Sequence, residues 1–121
     1  MNDKIIKVSD MIKALGVSAN VKGYRYLRYA IELVMNDISY IDAITTVLYP
    51  RVANKFNTTP SRVERAIRHA IQSGWNRADV STQEKIFGYT VDANKGNPTN
   101  GEFISMVADY IEIYIGCEQN G

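Results

Sequence analysis

A chain of 121 residues, 45% of them apolar and 22% charged, holds enough apolar material for one buried core and too little charge for a disordered tail. Its single cysteine, Cys117, excludes an internal disulfide and a thiolate metal cluster and fits a reducing cytoplasm. No apolar run approaches the ~20 residues of a membrane span, and the start Met1-Asn2-Asp3-Lys4 lacks the layout of a signal peptide. One soluble cytoplasmic domain over residues 1–121, without a membrane partner, is expected.

The periodicity predicts an all-α, compact bundle of six to seven helices, and no stretch alternates as a strand would. Ile5, Val8, Met11, Ile12 and Leu15 form a first apolar face that stops at Gly16. Leu27, Ala30, Ile31, Val34 and Ile38 form a second. A short helix is expected over 41–48, broken near Tyr49-Pro50, because proline cannot continue an upstream ladder. Ser81-Thr82-Gln83-Glu84 has capping-box spacing and is expected to open a short helix to about Phe87. Thr99-Asn100-Gly101-Glu102 has the same spacing ahead of Phe103, Val107, Ala108, Ile111 and Ile115. The stretch 88–98 between them is long for an ordinary connection, which is common where a loop has a task.

Charge is concentrated rather than spread. Residues 51–77 carry Arg51, Lys55, Arg62, Arg65, Arg68 and Arg77 against Glu64 alone, a balance of +5 in a chain whose net charge is +1, which leaves −4 for the rest. A cationic patch on a neutral body gathers phosphates at one place while limiting non-specific adhesion.

The same segment meets the local requirements of a helix-turn-helix over about 49–76. Ala53 supplies the small residue where two helices cross, Asn57 tolerates positive φ in the turn, and Val52, Phe56, Val63 and Ala66 are spaced to lock the pair. Two starts compete for the second helix: Thr59 as N-cap with Pro60 at the first helical position, or Ser61 with Glu64 as a capping box. Pro60 favours Thr59. On a wheel of about 100° per residue, Val63, Ala66, Ile67, Ala70, Ile71 and Gly74 face one side. Ser61, Arg65, Arg68, His69 and Gln72 face the other, flanked by Arg62 and Glu64. Arginine can donate two bonds to guanine and glutamate can accept one from cytosine, and the N-terminal half of a recognition helix holds most base readers. Glu64 and Arg65 are therefore the expected base readers, with Arg62, Arg68 and His69 as backbone or flanking contacts.

Other readings weigh less. An arginine-rich helix face is usually only solvated, but here face, turn and proline start coincide. A protein-interaction module docking on RNA polymerase or another regulator is the alternative. RNA is a weaker candidate, since a rigid major-groove helix suits B-form duplex better than A-form. Tyr24, Tyr26 and Tyr29 are expected to serve the core rather than stack on bases. Lys95 is either a surface turn or a phosphate contact. Without a phosphate loop, nucleophile elbow or metal motif, catalysis, metal and cofactor are not expected.

Lys22-Gly23-Tyr24, Val47-Leu48-Tyr49-Pro50, Lys55-Phe56-Asn57-Thr58-Thr59, the run SRVERAIRHA at 61–70, Phe87-Gly88-Tyr89-Thr90-Val91, Pro98-Thr99-Asn100 and the segment 103–109 together resemble the DNA-binding effector domain of the stage-zero sporulation protein A family. That resemblance implies a transcription factor, activator and repressor, that acts at the start of sporulation on double-stranded DNA carrying a box like TGTCGAA. Tandem boxes would be filled by a second copy of the domain. It also implies a response-regulator setting with an N-terminal receiver; none lies within residues 1–121, and the chain is expected to be the effector half. Carried over by motif, Glu64 and Arg65 read base edges; Thr59, Ser61, Arg62, Arg68, His69 and Lys95 hold the backbone or its flanks. The resemblance further implies that the region of Gln72, Ser73 and Phe87 meets an RNA polymerase sigma factor. The chain departs from the family pattern at Gln72-Ser73-Gly74, at Asn97 and in the tail after Asp109.

Overall fold

The computed structural model describes residues 3–88 and 96–120, with side chains as far as Ile113. Six α-helices account for most of these residues, and none of the described residues is in a strand. They are α1 (Asp3–Ala14), α2 (Lys22–Asn36), α3 (Tyr49–Lys55), α4 (Pro60–Gly74), α5 (Val80–Phe87) and α6 (Asn100–Asn120). A 3-10 segment, Ile38–Ala43, and a π turn, Ile44–Leu48, lead into α3, and a 3-10 turn, Trp75–Arg77, follows α4.

Helix α2 is the centre of the bundle, packed against α1, α4 and α6. Its Leu27, Ala30, Ile31 and Val34 are sealed from solvent with Ile12 of α1 and Leu15 just past its end, Ile67 and Ile71 of α4, and Phe103, Ile104 and Ile111 of α6. Most residues of the expected stripes are thus core; Ile5 and Met11 are only half-buried, the Ile115 side chain lies outside the described residues, and one stripe residue faces solvent. Ile38 is 70% exposed, because α2 stops at Asn36 and Asp37 turns extended (φ −153°). The Asp37 carboxylate accepts bonds from the Ser39 N–H at 3.0 Å and hydroxyl at 2.7 Å, which starts the 3-10 segment instead and holds its acid below the usual carboxylate range.

Two other boundaries differ from expectation. Pro50 does not break a helix but stands in the first turn of α3. Its missing N–H removes no bond of that helix, so the chain runs from π turn into α-helix. Helix α5 starts at Val80, not after Ser81: the Asp79 carboxylate accepts from the Thr82 N–H (3.1 Å) and hydroxyl (2.7 Å), two bonds that fix the cap two residues ahead of Ser81. The box at Thr99 forms as predicted, with Thr99 N–H donating to Glu102 at 2.9 Å and Glu102 N–H to the Thr99 hydroxyl at 3.1 Å.

Backbone contacts aim α4. Gly16 ends α1 with φ +94°, as its position suggested. It touches Gly74 so closely that a β-carbon on Gly74 would stand 2.5 Å from the Gly16 carbonyl oxygen. The middle of α4 is held by α2, whose Gly23 lies against Ala66 and Ala70.

Candidate nucleic-acid interface

Helices α3 and α4 are joined by a four-residue turn, 56–59, whose chemistry is local. Asn57 takes φ +55°, the left-handed conformation that asparagine tolerates best after glycine. The Thr58 N–H then reaches back to the Ala53 carbonyl at 2.9 Å, the six-to-one bond of a Schellman ending. Ala53 and Val52 are buried beneath the turn, and the Phe56 ring packs on Tyr26 and Tyr29 at 5.2 and 5.9 Å. Tyr24 and Tyr26 are themselves buried, as core residues, and Tyr29 is half-buried.

The Thr59 hydroxyl accepts from the Arg62 N–H at 3.2 Å and Pro60 opens α4, so Thr59 is the cap and Glu64 stays free of the capping box. Val63, Ile67, Ala70, Ile71 and Gly74 are buried and Ala66 is half-buried. Ser61, Arg62, Arg65, Arg68, His69 and Gln72 are all exposed on the opposite side. Val63 to Ile71 thus anchor a helix whose outer face presents three arginines and an imidazole to solvent. Thr59 is exposed at its start.

Glu64 and Arg68 are paired. The Arg68 Nη1 donates to Glu64 Oε1 at 2.7 Å, one turn apart, with the carboxylate side chain 35% and the guanidinium side chain 50% exposed. Arg65 stands outward next to this pair. A groove of about 310 Å³ flanks α4 on the α2 side, lined by Val21, Lys22, Gly23 and Ala66 with Arg62, Arg65 and His69 at its rim. Cations continue onto α2 and α3: Arg25 lies over the Phe56 ring at 5.8 Å and Lys55 over Tyr29 at 5.6 Å.

On the other side of α4 the connection into α6 approaches. Pro98 is buried there, and a groove of about 400 Å³ is lined by Tyr49, Glu64, Arg68 and residues 97–101. Sequence reasoning gave Asn100 no function, yet its amide donates to the Glu64 carbonyl at 3.1 Å and to the Tyr49 hydroxyl at 3.0 Å. Burial pushes the Tyr49 phenol above its ordinary value, with the Asn100 N–H acting the other way, so the hydroxyl stays neutral at neutral pH. Only the placement of Pro98-Thr99-Asn100 among the family motifs hinted at this contact.

Lys95 lies outside the described residues. Gln72 and Ser73 are exposed, but Phe87 is buried at 2%, with its ring against Trp75 (5.2 Å) and Phe103 (6.1 Å). An aromatic ring is worth more to the core than to a surface here, so Phe87 supports the region rather than touching a partner. Among the described residues, no three of His, Cys, Asp and Glu come together as metal ligands, and no helix is long and apolar enough to cross a membrane.

The geometry is that of a helix-turn-helix with an open, cationic second helix, and comparison with known families agrees. The family model described as sporulation initiation factor Spo0A C terminal matches residues 8–111, from the buried Val8 of α1 to the buried Ile111 of α6. The chain belongs to the family of Spo0A C-terminal domains, the DNA-binding part of a regulator of sporulation.

Proposed function

We propose that this domain regulates transcription by binding a TGTCGAA-like box in duplex DNA, with α4 in the major groove. The observation that carries this reading is the division of α4 into a sealed apolar side and an outer side on which Arg62, Arg65, Arg68 and His69 are all exposed among the described residues. Arg65 and Glu64 read base edges; Thr59, Ser61, Arg62, Arg68 and His69 hold the flanking backbone, with Lys95 as a further phosphate contact. Tandem boxes seat two copies, and Gln72 and Ser73, exposed near the C-terminal end of α4, meet a sigma factor of RNA polymerase. Through these contacts the domain activates some promoters and represses others, in the cytoplasm at the chromosome.

The test is a salt titration of binding to a box-containing duplex and to a random duplex. Each phosphate neutralised contributes about −0.9 to the slope of log affinity against log salt on B-form DNA. Steep slopes on both duplexes, with the box favoured, are expected. Absence of binding to either duplex at low salt would replace this reading with the protein-docking one.

A further inference from the structure

The contact between Asn100 and Glu64 ties the first residue of α6 to the middle of the recognition helix. We propose that Asn100 is a positioning residue for sequence discrimination, setting the axial and rotational position of α4 at the turn that carries Glu64, Arg65 and Arg68. This rests on the reading of α4 as a base-reading helix.

The hydrogen-bond inventory supports it. An asparagine amide has two N–H donors, and here each has its own acceptor: the Tyr49 hydroxyl of α3 and the Glu64 carbonyl of α4. One side chain therefore joins three helices. The Glu64 carbonyl is a mid-helix group, so Asn100 binds it in addition to the internal ladder of α4 and caps no helix end. The backbone it grips belongs to the residue whose carboxylate is paired with Arg68. Glycine contacts at Gly16 and Gly23 limit how near α4 comes to the core, but they carry no directional bond; Asn100 supplies direction from the opposite side. Base readout requires side chains held within about 0.5 Å, which is the work of such supporting groups.

Three variants separate positioning from folding. Asn100→Asp keeps the shape, cannot donate to Glu64, and suits the first turn of a helix, where a negative charge is favourable. Asn100→Ala removes both bonds, and Tyr49→Phe removes one acceptor while leaving the ring in place. The measurement is the ratio of affinities for the box and for boxes with one base pair changed, with thermal melting of each variant alongside. The expected result is a drop of about five- to tenfold in that ratio for Asn100→Asp and Asn100→Ala, a smaller drop for Tyr49→Phe, and melting that stays cooperative. A change of charge alone weakens all duplexes together and leaves the ratio fixed. Should a substitution at Asn100 prevent folding, Tyr49→Phe decides the matter by the same ratio. Wild-type discrimination retained by the folded variants overturns the role of Asn100. A wild-type domain that does not distinguish the boxes overturns instead the base-reading assignment beneath it.

Discussion

Gly23 lies against the Ala66 carbonyl of α4 with no space for a side chain: a β-carbon on Gly23 would stand 2.4 Å from that oxygen and 2.6 Å from the Ala70 β-carbon. Two effects then oppose each other in Gly23→Ala. Alanine gains up to about 1 kcal/mol of helix propensity. Overpacking against backbone costs ~1–3 kcal/mol and, with helix α4 unable to yield on its core side, more than cancels that gain. Urea unfolding should show net destabilisation, and DNA affinity should fall with it as α4 shifts. A variant as stable as the parent would show that the two helices are free to separate.

Arg65→Ala and Arg68→Ala should differ in kind. Loss of the Arg65 fork is expected to cost ~1–3 kcal/mol on the preferred box and to relax preference at one base pair, with stability unchanged. Loss of Arg68 should weaken box and random duplexes alike and reduce the salt slope by about 1. Competition shift assays at two salt concentrations read both.

Thr59→Ala removes the side-chain bond that the Arg62 N–H makes in the first turn of α4. The expected cost is ~1 kcal/mol in denaturant unfolding. Faster amide exchange at Arg62 should accompany it, while residues at the far end of α4 remain protected.

Acid should loosen α5 before the rest. The bonds from Thr82 hold the Asp79 carboxyl below its ordinary value. A depressed acid contributes stability above its unfolded value, near ~3.9, and that contribution disappears as pH falls through the lower folded value. Asp37 acts with the same sign. Asp79→Asn keeps a competent cap without the titration, so its melting temperature should fall less than that of the parent between about pH 5 and pH 2.

What the sequence disclosed follows the range of the interactions. The cap at Thr59, the left-handed Asn57 and the two faces of α4 depend on neighbours a few residues apart, so all three were legible. Pro50 misled because the same ring that stops one helix is welcome in the first turn of the next. The capping-box spacing pointed to Ser81, whereas the Asp79 carboxylate two residues earlier holds the helix start. Asn100 is 36 residues from Glu64 and 51 from Tyr49, and Gly23 is 43 from Ala66. Such pairs leave no periodic trace. The resemblance placed Phe87 in a region of sigma-factor contact, while its ring packs inward against Trp75 and Phe103.

The pairing of Glu64 with Arg68 gives the carboxylate of this turn of α4 its own built-in counterion. Parting an exposed pair of this kind takes ~1 kcal/mol or less, so a small competing interaction is enough to release both groups. If α4 reads bases as proposed, Arg68 would pass to a phosphate and Glu64 turn to a cytosine amino group in one exchange, and on other sequences the acid would return to its arginine. A single turn of helix would then serve both travel and arrest.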